Sequence, residues 1–145
     1  YIQKKLIDIN YHIYGSPKYL EKHGFPKSTS DLNKHSFISF GRGAPSPVYN
    51  PDWALKLGTK DNKKRKTVMK VNSVYGLLLA VQSGVGLAAL PDYITVNQPN
   101  IVKVLPNIEG PITEAHFVYP QSMKNVARVQ AFRNFLYSKI SEWEF

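Results

Sequence analysis

Few residues of this chain could do chemistry, and their order limits which chemistry is open to them. Gly84-Val85-Gly86 first raises a phosphate-cradling loop. A dinucleotide loop needs G-x-G-x-x-G between a strand and the helix it opens, so that helix amides face the phosphates. Here the third glycine position is Ala89, and the pair follows a helical stretch and leads into a strand, so it reads as a helix-to-strand joint. His12, His23, His35 and His116 are scattered without the spacing of a helical metal pair. With no cysteine there is no thiolate ligand or nucleophile. The ten acidic residues show no close pair for acid and base roles, and no G-x-S-x-G elbow occurs. The expectation is no enzyme, no cofactor and no metal.

What remains is a pair of strand-to-helix junctions carrying small polar residues, Gly15-Ser16-Pro17 and Asn72-Ser73. Each offers a hydroxyl and uncapped backbone amides of the kind that hold carboxylates or phosphates, and in open α/β sheets ligands lie at the carboxyl ends of strands. Ordinary helix capping explains either junction taken alone equally well.

The elements that must position these residues follow the α/β pattern. Residues 11–15 (YHIYG) read as a strand running into a short helix over 17–23, closed by Gly24. A helical turn over 31–35 and a buried strand FISF over 37–40 follow. GRGAPSPVYNPD, residues 41–52, has two glycines and three prolines and reads as an irregular loop. KTVMKV alternates as a strand, Asn72-Ser73 caps a helix from Val74, and Pro91 starts a helical turn. Two more strands, IVKVL and ITEAHFVY, precede a long helix over about residues 124–142, whose Val126, Val129, Phe132, Leu136, Ile140 and Trp143 step by three or four. The helix after Ser73 is apolar nearly all round, which predicts that the sheet and something else cover it, a partner subunit being one candidate.

Composition sets the class. A chain of 145 residues, 43% hydrophobic and 12% aromatic, holds a sizeable core. No apolar run reaches the roughly 18 residues that span a bilayer, so no membrane partner is expected and the cytoplasm is the expected location. The chain starts at Tyr1 rather than methionine, as a piece of something longer would. The net charge is +9, and residues 60–66 (KDNKKRK) hold five of the nineteen basic side chains. No aromatic interleaves that run as a single-strand platform would need, so it reads as a solvated loop.

The segment YGSPKYLEKHGFPKSTSDLNKHSFISF, then VNSVYGLLLAVQSGVGLAALPDYI, IVKVLP, FVYP and VQAFRNFL in that order, resembles the effector-binding domain of LysR-type transcriptional regulators. The resemblance runs from about Ile9 to Ile140 and implies a periplasmic-binding-protein-like (type 2) α/β fold of two subdomains with a small effector in their cleft. It implies that residues of about 15–112 form the second subdomain, 10–14 and 113–119 the crossover strands, and 124–142 the closing helix of the first subdomain. By the same comparison, about 70 residues of that subdomain and the DNA-binding helix-turn-helix are absent from this chain. With its usual sheet missing, the stripe Val129, Phe132, Leu136, Ile140 would be exposed, disordered or packed on another chain. Carried over as effector contacts are Ser16, Asn72 and Ser73, with Tyr75 and Gly15 secondary. The resemblance also implies a homo-oligomer paired through the apolar helices, and DNA contact only through the missing N-terminal domain. The loop of residues 41–66 is longer than usual for the family, and Val74-Tyr75-Gly76 replaces its acidic or small residues.

The function implied is ligand sensing: effector binding closes the cleft, and closure is transmitted to a DNA-binding domain. The alternative is a fragment of a periplasmic solute-binding protein feeding a transporter, which shares the bilobal fold. A third is a small hydrolase using one of the scattered serines and histidines.

Overall fold

A computed structural model of the chain describes residues 1–41, 50 and 52–143. The chain divides into two compact units, one formed by Tyr1–Ile9 with the chain from Ile112 onward, the other by Asn10–Pro111. The expected loop over residues 41–52 falls mostly outside the described residues.

In the second unit the strands are β2 (Tyr11–Gly15), β3 (Phe37–Phe40), β4 (Thr67–Val71), β5 (Ala88–Pro91) and β6 (Val102–Val104), and the helices are α1 (Pro17–His23), α2 (Trp53–Lys56) and α3 (Val74–Gln82). β2 lies between β5 and β6 and is antiparallel to both. β3 and β4 are parallel. The Ile38 amide donates to Leu87 O and the Leu87 amide to Ser36 O, both at 2.8 Å, in a parallel bridge that joins the two sets. The sheet order is thus β4-β3-β5-β2-β6, a mixed sheet in which β2 alone runs antiparallel to the other four strands.

Alternation along the strands builds two cores. Ile13, Phe37, Leu87 and Val104 meet Tyr19, Leu20, Leu32 and Leu55 on one face. Tyr14, Ile38, Ala88 and Leu90 meet Leu77, Leu78 and Val81 of α3 on the other. Each fully buried Leu or Val contributes about 1.5–3 kcal/mol, so α3 is held by its inner face alone. Its outer residues Tyr75 and Leu79 remain 64% and 46% exposed, with Val68 and Met69 of β4 exposed as well.

The joints are sharp. Ser16 caps α1, its Oγ accepting the Tyr19 amide at 3.2 Å, and Pro17 follows at the first helical position. Gly84, with φ +80°, ends α3 as the sequence predicts. Gly86 is set by contact: a Cβ there would lie 2.5 Å from Ser36 O. Pro91 differs from expectation, since it is the last residue of β5 and precedes the 3-10 turn Asp92–Ile94 as its cap.

In the first unit β1 (Ile2–Ile9) pairs antiparallel with β7 (Thr113–Tyr119), and α4 (Ala127–Ser141) packs on them. The sequence pattern does not announce β1. A bulge between Lys5 and Ile7 breaks its register, so Leu6 and Ile7 stand side by side in sequence and the period of two is lost. Of residues 10–14, named above as a crossover, Tyr11–Tyr14 lie in the buried strand β2, and the strand paired with β7 is β1. The α4 stripe is half covered: Phe132 meets Phe117 edge-on at 5.8 Å, yet Phe132 and Phe135 are 51% and 54% exposed and no residue of α4 is fully buried.

Gly86→Ala drives a methyl group into Ser36 O at the bridge joining the two halves of the sheet. Its cost is expected at about 1–3 kcal/mol, read as a lower urea midpoint at unchanged slope; an unchanged midpoint would show that the bridge yields freely.

Candidate functional site

The carboxyl ends of β3 and β4 meet at Gly41 and Asn72. The Gly41 amide donates to Val71 O at 2.8 Å, and a Cβ on Gly41 would stand 3.6 Å from the Asn72 Cβ. Ser73 then caps α3: its Oγ accepts the Gly76 amide at 3.3 Å and its carbonyl accepts the Leu77 amide at 3.0 Å. The amides of Val74 and Tyr75 are left without an intrahelical acceptor, and no acidic residue occupies the first turn to compensate the helix dipole. Gly76 permits this close start, because a Cβ there would come within 2.6 Å of Val71 Cγ1. Asn72, Ser73 and Tyr75 are all exposed, and the Asn72 side chain makes no hydrogen bond among the described residues. This end of the sheet can offer an anion two backbone amides, a hydroxyl and a carboxamide.

Gly15 and Ser16 do not join it. Since β2 runs antiparallel to β5, and β5 parallel to β3 and β4, the carboxyl end of β2 lies at the opposite edge. Ser16 Oγ lies 3.5 Å from where a Cβ of Gly84 would stand, beyond the far end of α3, so the length of the helix, roughly 15 Å at 1.5 Å per residue, separates Ser16 from Ser73. Ser16 is also 1% exposed with its oxygen spent on capping. The five residues expected to share a site therefore split into Asn72, Ser73 and Tyr75 at one end and Gly15 and Ser16 at the other.

The largest buried polar group went unread in the sequence. Asp92, 5% exposed, accepts from His12 Nδ1 at 2.8 Å, from the Tyr14 hydroxyl at 2.8 Å and from Lys103 Nζ at 3.3 Å. The Thr95 hydroxyl sits 3.2 Å from that of Tyr14. Burial pushes the Tyr14 hydroxyl well above the usual tyrosine range; the hydrogen bond from Thr95 opposes this, and donation to Asp92 adds to the rise. Among the described residues no enclosed side-chain polar atom lacks a partner, so the network is closed and offers a substrate nothing. His12 is the satisfied structural histidine that its place in a strand suggests. A signal was present: histidine and tyrosine at i and i+2 of a strand, with an aspartate after the Leu-Pro of the neighbouring one.

The basic run is divided in role. Arg65 is structural, its guanidinium reaching Asn33 Oδ1 and Ala54 O, each at 3.0 Å, over the Phe37 ring. Lys64 pairs with Asp52. Lys60, Lys63 and Lys66 are exposed on the loop between α2 and β4. Among the described residues no group of three or more histidines or carboxylates could hold a metal ion, and no helix is long and apolar enough to cross a membrane.

Comparison with known proteins gives a consistent answer. Residues 1–140 match the family model described as LysR substrate binding domain. An uncharacterized HTH-type transcriptional regulator of Haemophilus influenzae is 29% identical over 82% of this chain and 41% of its own length. The HTH-type transcriptional regulator CrgA of Neisseria meningitidis serogroup B is 25% identical over 94% of this chain and 46% of its own. The chain thus spans less than half the length of these relatives. The solved CrgA regulatory domain superposes with a TM-score of 0.78 at 24% identity, over 96% of this chain and 68% of that one. The regulatory domain of AphB from Vibrio vulnificus superposes with a TM-score of 0.67 at 18% identity, over 94% and 69%.

Asp92→Ala is expected to cost about 3–5 kcal/mol in urea unfolding, because it removes the buried acceptor shared by His12, Tyr14 and Lys103. Asp92→Asn, which keeps acceptor and shape, should cost clearly less; equal losses would show that packing, not charge, matters here.

Proposed function

The chain belongs to the LysR substrate binding domain family, and we propose that within a longer regulator it senses a small anionic effector at the Asn72–Ser73 end of the second unit. Binding there shifts the conformational equilibrium of the regulator and so alters the DNA affinity of a helix-turn-helix segment. The relatives' names support the regulatory reading over the solute-binding and hydrolase alternatives. The observation that carries the site is the uncompensated start of α3, where exposed Ser73 and the unengaged Asn72 carboxamide stand beside two unpaired amides. Tyr75 flanks it. Gly15 and Ser16 are left out of the site for the reasons of sheet direction and burial given above.

We infer further that the regulator pairs with a second copy through the outer face of α3. Exposed Tyr75 and Leu79, together with Val68 and Met69 on the edge strand β4, form apolar surface that water covers poorly.

A thermal-shift screen of small carboxylates and phosphates is expected to find compounds that raise the melting temperature of the chain. Asn72→Ala should then weaken a hit about tenfold, a lost hydrogen bond to a charged group, while leaving the melting temperature without ligand unchanged. A hit whose affinity is indifferent to Asn72→Ala and Ser73→Ala binds elsewhere, and one that leaves the DNA affinity of the full-length regulator unaltered would sink the sensing role. For pairing, Leu79→Asp should shift the full-length protein toward lower mass in sedimentation; an unmoved distribution removes α3 from the interface.

A further inference from the structure

A pocket of about 340 Å³ lies within the first unit, between the α4-facing side of the β1–β7 ribbon and the first turns of α4. Lys4 of β1, Lys124 before α4 and Arg133 within it line this space, and no carboxylate does. The described carboxylates of the unit are engaged elsewhere. Asp8 and Glu114 pair with Lys5 at 2.7 and 2.9 Å, and Glu142 pairs with Lys139 at 3.0 Å. Among the described residues, three cations therefore line this space with no carboxylate beside them.

Their neighbours are donors. Gln121 lines the wall, and Gln130 Nε2 donates to Lys124 O at 2.9 Å, which ties the turn carrying Lys124 to the helix and leaves its second N–H unspent. Arg133 commits one terminal nitrogen to Asn134 Oδ1 at 3.3 Å, keeping most of its five N–H groups available. Tyr119 is 6% exposed, on the β7 face that carries Phe117 toward α4, and it lines the pocket. Its hydroxyl has no hydrogen-bond partner among the described residues. Since no enclosed side-chain polar atom among them lacks a partner, that hydroxyl is not fully enclosed, and Tyr119 is among the residues lining this pocket.

We propose that the pocket is an oxyanion site that takes the phosphate of a small phosphomonoester. One carboxylate would neutralise a single cation of the three, whereas a phosphomonoester carries about −1.5 to −2 and three acceptor oxygens near neutral pH. The planar guanidinium of Arg133 suits two of those oxygens, with the ammonium groups and the phenol as further donors. The site is independent of the Asn72–Ser73 end, because every residue of it belongs to the other unit.

The test is a two-dimensional amide NMR titration of the whole chain at ionic strength held constant with chloride, using inorganic phosphate, methyl phosphate and acetate. Saturable shifts at Lys124 and Arg133 are expected with methyl phosphate, and acetate should bind about tenfold more weakly. Tighter binding of inorganic phosphate than of methyl phosphate would assign the site to the free ion and overturn the monoester reading. The double variant Lys124→Gln, Arg133→Gln should lose saturation, and Tyr119→Phe should weaken binding severalfold with the spectrum otherwise retained. Shifts that never saturate, acetate binding as tightly as methyl phosphate, or a double variant that binds unchanged would each overturn the proposal.

Discussion

A buried carboxylate must be met by donors, and in the second unit that requirement fixes the middle of the sheet. Asp92 leaves β5 and is met by His12 and Tyr14 from β2 and by Lys103 from β6. Sliding β2 by one residue against its neighbours would replace His12 and Tyr14 with Tyr11 and Ile13, turning an apolar side chain toward the charge and stranding a carboxylate at a cost of several kcal/mol. Hydrophobic alternation alone fixes such registers less strictly, because β2 is buried along its whole length and has apolar residues on both faces.

From that register the rest of the unit follows. With β2 antiparallel to β5, the α1 cap is carried to one edge of the sheet and the α3 cap to the other. α3 bridges the two edges, its inner face anchored by Leu77, Leu78 and Val81 and its ends set by glycines whose added Cβ atoms would collide with Val71 or demand a strained backbone. The same geometry makes one cap a packing device and leaves the other facing solvent. Ser16 is sealed beneath the turn at Gly84, whereas Ser73 stands where β3 and β4 end and nothing among the described residues covers it.

Local chemistry was legible wherever it was local in sequence. Ser16-Pro17 and Gly24 bound α1 where the cap signals place it, Ser73 opens α3, Gly84 closes it, and β3 and β7 lie where their apolar runs put them. What was not legible depends on direction and partnership. Strand order and sense are properties of the folded sheet, so two equivalent-looking caps could not be sorted into one exposed and one buried. The β1 bulge hides a strand behind an apolar pair, and the long helix begins only at Ala127, after a 3-10 turn over Gln121–Met123 and three non-helical residues. Family membership was carried by the ordered set of short motifs, each weak alone, whose spacing the fold preserves.

The charge of the chain is better understood by location than by total. In the basic loop, Arg65 is spent on carbonyl oxygens and Lys64 on Asp52, so the local excess is smaller than the run KDNKKRK implies and the remaining lysines are separately solvated. In the first unit the described residues form a two-stranded ribbon under one helix, which leaves Phe132 and Phe135 about half exposed. Lys4, Lys124 and Arg133 line one pocket there while the described acids pair with other lysines. Screening at physiological salt acts over roughly 8 Å, so the isolated lysines of the loop contribute little field at a distance, and three cations lining one pocket with no described carboxylate beside them, more than the sum of +9, determine where an anion would be held.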